Sequence, residues 1–280
     1  MADCFKAGTD RYNGVILDAD DQNFKSDAEF IEKLKAAIPE WRKIDKRGLW
    51  VKVDHKHAGL VPLLSQMGLE FHHAQPGYVM MTMWMSEDLP NYLPEYANQY
   101  IGVAGFVVNE KNQLLVIQEQ YHTHKRSHWK LPGGHADKGE DLAETAEREV
   151  REETGVESEF VSLIAFRHQH NYRFGCSDLY FICLMRPLTQ EIKTCPHEIA
   201  ACKWIDLDDY IADPGVSDAN RHFAQCYKDG LKHNGLAIIP SKVLSHDKRV
   251  LHNIYSIQAK TRRKSDQALP LPNLASSTEL

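Results

Sequence analysis

The sequence predicts an α/β protein of two successive units, and three observations carry that prediction. Apolar residues recur with period two in short runs and with helical spacing in longer ones, and the two patterns alternate along the chain. A proline-bearing stretch, 87–99, interrupts the pattern once. The composition, 42% hydrophobic and 26% charged over 280 residues, allows a packed core and excludes a wholly disordered chain.

The first unit reads roughly β-α-β-α-β-β. Val15-Ile16-Leu17 is a short strand. A helix follows over Ser26 to Arg42, where Phe30, Ile31, Leu34, Ile38 and Trp41 share one face. Ser26 stands three residues before Glu29, the spacing of a capping box. Leu49 to Val53 alternates as a strand, and Ala58 to Gln66 is a short helix stopped by Gly68. Leu69 to His72 and Tyr78 to Met85 close this unit as strands, giving a first domain over about residues 1–90.

The second unit is expected over residues 100–240. Ile101 to Val108 and Gln113 to Gln118 read as a hairpin around Asn109–Asn112. Leu131-Pro-Gly-Gly134 is a turn, and Asp141 to Glu153 a helix that ends at Gly155. Phe160 to Arg167, Leu179 to Met185 and Cys202 to Ile205 are strands. Ser217 caps a further helix reaching Lys232. From Ser241 apolar density falls and basic residues rise, so 241–280 is expected to be a partly flexible extension.

Several classes are excluded. A net charge of -6 argues against broad electrostatic binding of nucleic acid. It is compatible with a phosphorylated ligand bridged by a cation. Six cysteines are scattered without a Cys-x-x-Cys pair, which points to free thiols in a reducing compartment. There is no apolar leader over Met1 to Asp10 and no membrane-length apolar run. The expectation is a soluble protein of the cytoplasm, with nucleus or mitochondrion as the other compartments, and with no membrane partner. The pairs His72-His73 and His122/His124 lack metal-ligand spacing and receive no metal.

The chemistry concentrates in 134–156. Glu149, Glu152 and Glu153 stand at i, i+3 and i+4, so one helical face carries three carboxylates. Like charges at this spacing repel, and a hard divalent cation, Mg²⁺ or Mn²⁺, would compensate them. Leu142, Ala146 and Val150 lie on another face that can anchor the helix to a sheet. Gly133 and Gly134 permit close backbone approach to metals or phosphates. A Glu triplet alone is usually a solvated face. Here it belongs to a longer run in which Gly134, Glu140, Arg148, Glu149, Val150, Glu152, Glu153, Gly155 and Val156 fill every position of one signature.

That signature is the Nudix box, and by it the chain resembles the Nudix hydrolases. The resemblance implies an α/β/α sandwich with a mixed sheet and a loop-helix-loop that binds divalent cations and a diphosphate. It implies Glu149, Glu152 and Glu153 as metal ligands, Glu140 in support of metal binding, and a further ligand in the Gly134 carbonyl. Arg148 is similar to the arginine that orients the catalytic glutamates by ion pairing. Members often draw another glutamate from a downstream loop, and Glu198, six residues before Trp204, is the candidate here; the alternative is a plain surface residue.

Beyond the box, the chain resembles the fibroblast-growth-factor antisense-type Nudix hydrolases, including plant ADP-ribose/NADH pyrophosphatases, over roughly residues 10–210. Asp10-Arg-Tyr-Asn-Gly14, Met67 to Ala74, Gly102 to Gly105, Trp129 to Gly134 and Ser177 to Phe181 carry this likeness. It implies a pre-Nudix domain reminiscent of part of an N-acetyltransferase. It also implies hydrolysis of ADP-ribose or NADH with release of AMP. The first unit is expected to serve as a packing or dimerisation module, with a homodimer as one assembly. Water would attack one phosphorus, with Glu152, Glu153 or Glu198 taking its proton. Trp129, Phe166, Tyr172 and Phe174 are candidates to stack a base, or else packing residues. Arg167, His168 and His170 contact phosphate or simply end a strand. Two other classes stand beside the hydrolase. One is a regulatory protein with a silent box, against which the intact glutamates argue. The other is an acyltransferase in the first unit, which lacks an acyl-CoA loop.

Overall fold

The computed structural model describes residues 5–120, 128–230, 236–245 and 248–259. The chain divides into two compact units, Met1–Ala97 and Asn98–Leu280.

In the first unit a five-stranded sheet has the order β1-β2-β3-β5-β4. The strands are β1 (Ala7–Thr9), β2 (Val15–Asp18), β3 (Gly48–Asp54), β4 (Glu70–Gln75) and β5 (Tyr78–Trp84). Helices α1 (Asp27–Lys43) and α2 (Leu60–Gln66) complete it. Ser26 caps α1 by accepting from the Glu29 N–H at 3.3 Å, and the Glu29 carboxylate accepts from the Lys25 N–H. The predicted apolar face of α1 (Phe30, Leu34, Trp41) packs with Leu17, Leu49, Val51 and Met81 of the sheet. The short β1, not anticipated from the sequence, pairs antiparallel with β2.

In the second unit a six-stranded mixed sheet runs β12-β13-β9-β10-β6-β8, beside a two-stranded sheet β11-β7. The ranges are β6 (Gln99–Val107), β7 (Gln113–Glu119), β8 (Gly133–His135), β9 (Ser158–Gln169), β10 (Ser177–Pro187), β11 (Ile199–Asp206), β12 (Leu236–Leu244) and β13 (Leu251–Ala259). Helices are α3 (Leu142–Thr154), α4 (Leu207–Ala212) and α5 (Asp218–Gly230). The sheet buries both faces. Val103, Val107, Cys183 and Met185 meet Ala146 and Val150 of α3 on one side. Ala104, Phe106 and Ile182 meet Tyr210 of α4 and Phe223 of α5 on the other. The α/β/α layering follows from this alternation along β6. Gly105 sets the closeness of α3, because a Cβ there would collide with Val150 Cγ2.

Two expectations are corrected. β6 and β7 do not form a hairpin: a single bridge, Val108 to Leu114, joins them, and β7 pairs instead with β11. Both strands are buried along most of their length, and each finds its ladder partners later in the chain. The sheet does not stop near 240, since β12 pairs with β13 and β13 with β9. Ile254 and Ser256 are fully buried, so this polar-diluted strand belongs to the core. The short α4 went unpredicted. The expected flexible end after 260 and the pair His122/His124 lie outside the described residues. Among the described residues no helix is long and apolar enough to cross a membrane, and the five described cysteines are free.

Candidate active site

α3 begins at Asp141, whose N–H donates to Glu144 at 2.9 Å, and ends at Gly155 in the left-handed conformation with φ 72°. Between these caps the helix turns its acidic positions toward one cation. Arg148 holds Glu140 bidentately, Nε to Oε1 at 2.7 Å and Nη2 to Oε2 at 2.9 Å. Its Nη1 reaches Glu149 at 2.8 Å and Glu152 at 3.2 Å, and its Nη2 donates to the His135 carbonyl at 3.1 Å. One guanidinium therefore ties the loop, β8 and two of the helix carboxylates together.

The other side of the site is backbone. The Gly133 N–H donates to Glu153 Oε2 at 2.7 Å. A Cβ on Gly134 would collide with the Glu149 carboxylate, and one on Gly133 would collide with the Val103 carbonyl. Any larger residue at either position would displace β8 from β6 or from α3. The close-approach role expected of the two glycines is thus realised against the protein's own carboxylates.

Electrostatics separate the four glutamates. The hydrogen bonds from Arg148, helped by the Asp137 N–H, hold Glu140 down to about 2. Burial raises Glu149 against the pull of Arg148. Burial pushes Glu153 up to about 7, although nearby Lys130 and the Gly133 N–H oppose it. Glu152, with a side chain 55% exposed, faces solvent.

The sequence-predicted residues divide in two. Glu140, Arg148, Glu149, Glu152, Glu153, Gly133 and Gly134 come together. Glu198 is exposed at the start of β11, and its carbonyl accepts from Gln120. Arg167 pairs with the buried Asp178 at 2.7 Å and lies over the Tyr180 ring. Trp129 packs against the core under Lys203, 4.2 Å from its ring centre. Phe166 stacks on Phe181. Phe174 is 94% exposed in the β9–β10 turn.

Two groups escaped sequence reading. Lys130, ion-paired with Glu119, lies electrostatically close to Glu153. It arrives there through the bridge from Ile117 to Lys130, which no spacing announces. His135, directly after Gly134, packs its ring against Tyr100 and Tyr172 at 5.6 and 6.2 Å, making an aromatic rim beside the carboxylates.

The donor set fits a hard divalent cation: several carboxylates, one of them buried and reluctant to ionise, with one Arg as their shared counter-ion. Among the described residues no three His, Cys, Asp or Glu side chains already converge on a common point. Glu149 and Glu152 are instead drawn to Arg148, and Glu153 to Gly133.

A mixed sheet between helix layers, with an arginine-centred glutamate cluster on one helix, is the architecture of a Nudix domain. Residues 99–226 match the family described as NUDIX domain, and residues 5–85 match the family described as Nudix hydrolase domain. The chain is 42% identical to Nudix hydrolase 8 of Arabidopsis thaliana, covering 74% of this chain and 56% of that relative. It is 33% identical to Nudix hydrolase 7 of the same plant, covering 85% and 86%. It is 40% identical to nucleoside diphosphate-linked moiety X motif 6 of Mus musculus, covering 73% and 66%. A MutT protein from Methanosarcina mazei aligns over 50% of this chain and 99% of its own, with a TM-score of 0.41 at 20% identity. The chain belongs to the Nudix hydrolase family.

Proposed function

We propose that the protein hydrolyses the diphosphate bond of nucleoside diphosphate derivatives, with ADP-ribose and NADH as the leading substrates and AMP as a common product. The observation that carries this reading is the gathering of Glu140, Glu149 and Glu152 by Arg148, with Glu153 one turn away against Gly133.

Glu149, Glu152 and Glu153 would hold the cation, Mg²⁺ or Mn²⁺, with Glu140 supporting them through Arg148 and the Gly134 carbonyl nearby. When bound, the cation supplies Lewis-acid neutralisation of the phosphate oxygens and acidifies water. Arg148 orients the carboxylates and stays within the protein. The reaction adds water oxygen to one phosphorus and breaks that phosphorus's bond to the bridging oxygen. The water's proton passes to a carboxylate. Glu152 and Glu153, both on the acidic face of α3, are the candidates for that task, with the exposed Glu198 as the alternative. The ring cluster of Tyr100, His135 and Tyr172 suits a flat base beside the diphosphate. The choice of ADP-ribose and NADH comes from the family resemblance.

An AMP-release assay on a panel of nucleoside diphosphate derivatives, with Mg²⁺ and with Mn²⁺, tests the reading. Glu152→Gln should abolish release from every substrate. Activity untouched by that change would remove the hydrolase assignment, and absent activity in the wild type on the whole panel would favour a regulatory Nudix protein.

A further inference from the structure

The first unit carries a cavity of its own on one face of its sheet. Along β2, β3 and β5 the residues between the buried ones point to the opposite face of the sheet. The register sets Ile16 beside Trp50 and Gly48 beside Trp84, with Met80 on the same face. A face with two tryptophans and two aliphatic residues is unusual for solvent contact.

Part of this face is strapped by the chain after β5. Trp84 Nε1 donates to the Leu89 carbonyl at 2.9 Å. Leu93 lies so close to Gly48 that a Cβ there would stand 2.8 Å from Leu93 Cδ2. His72 Nε2 meets the Pro94 carbonyl at 2.9 Å, and the Tyr96 ring stacks on His73 at 4.6 Å. The strap does not fill the face. Between it and the Asp10–Gly14 turn a cavity of about 880 Å³ remains, within the size range of small-molecule sites.

Its lining has a definite chemistry. Trp50 and Trp84 line it together with Tyr12 and Tyr92, which are 63% and 67% exposed. Arg11 and Arg47 bring two guanidinium groups. Arg11 lies over the Tyr12 ring. Arg47 has only the exposed Asp45 as ion partner, and its Nε has no hydrogen-bond partner among the described residues. The one lining acid, Asp10, is already engaged: Oδ1 accepts from the Tyr12 and Gly14 N–H groups and Oδ2 from Trp50 Nε1. Aromatic walls and two lining guanidinium groups against one lining carboxylate, whose oxygens already accept from N–H groups, favour a flat ring carrying an anionic group. We propose that this cavity binds a planar aromatic anion of about mononucleotide size.

The test uses the full chain carrying Glu152→Gln, in chelator, so that the acidic helix neither turns over nor loads metal. Tryptophan fluorescence and calorimetry follow titration with AMP, indole-3-acetate and naphthalenesulfonate. Adenosine supplies the ring without the anion, and ribose 5-phosphate the anion without the ring. At least one aromatic anion should bind saturably. Adenosine should bind about ten-fold more weakly than AMP if AMP is the ligand bound, and ribose 5-phosphate should not bind. Arg47→Gln should weaken binding by about ten-fold or more, the scale of one lost charged contact. Met80→Trp, which places a bulkier side chain in the lining, should abolish it, with circular dichroism confirming that both variants fold. The proposal is overturned if no aromatic anion binds, if adenosine binds as well as AMP, or if binding survives both substitutions.

Discussion

Helices α1 and α3 are assembled by the same rules and put to different ends. Each is amphipathic, each carries a capping residue with a glutamate reaching back, and each is rich in acid. On α1 the acids are paired off locally: Lys33 with Glu29 at 2.7 Å, Lys35 with Glu32 at 3.1 Å, and Lys43 with Glu40 at 2.8 Å. These are surface pairs of small energetic consequence, and they leave the helix with a purely structural face. On α3 one arginine serves three carboxylates, and Glu153 is buried with a backbone N–H as its hydrogen-bond donor. What separates the acidic face of α3 from that of α1 is this sharing of counter-charge, held in place by glycines that leave no room for relaxation.

The comparison is broken first by removing charge from α3. Glu149→Gln should lower the rate of AMP release by about 10³-fold, about 4 kcal/mol of transition-state stabilisation, without unfolding the protein. Steady-state kinetics beside a melting curve would read both. A wild-type rate would place Glu149 with the solvated acids of α1.

Titration of the metal-free protein comes next. Glu153 has a folded-state pKa of about 7 against an ordinary 4.5, so the folded chain keeps a proton that the unfolded chain releases between those values. Its contribution is full below about pH 4.5, declines as pH rises, and is lost above about 7. The swing is about 3 kcal/mol. Denaturant unfolding at several pH values in chelator should show that decline, and Glu153→Gln should flatten it.

Arg148→Lys keeps the charge and removes the fork. Since Arg148 acts through the carboxylates it positions, the expected loss is about 10- to 100-fold in activity. It should be accompanied by a raised metal requirement, which a purely structural role would not produce. The smallest effect belongs to α1. Ser26→Ala removes its cap and should cost about 1 kcal/mol in unfolding free energy with no change in turnover.

Much of this contrast was legible in the sequence. Periodicity located α1, α3 and most strands, because each has one strongly apolar face. The box spacing located Arg148 and its glutamates, because a helix converts spacing directly into shared direction. Sheet pairing was less readable. The β6–β7 hairpin failed because a short turn between two buried strands does not say which later strand each will pair with. β13 was missed because its core contacts come from alternate residues, Ile254 and Ser256, within a polar run. Lys130, and the place of Tyr100 and His135 beside the base-stacking candidate Tyr172, were hidden for the same reason: they meet only through cross-strand register. Arg167 and Trp129, expected at substrate, are engaged by Asp178 and by core packing.

The account rests on α3 as a cation-binding helix, and anomalous scattering from crystals soaked in Mn²⁺ with a non-hydrolysable ADP-ribose analogue tests that most directly. The prediction is manganese within about 2.2 Å of oxygens from at least two of Glu149, Glu152 and Glu153. Absence of any manganese peak there, with Arg148 still bridging Glu149 and Glu152 and the analogue bound elsewhere, would contradict it.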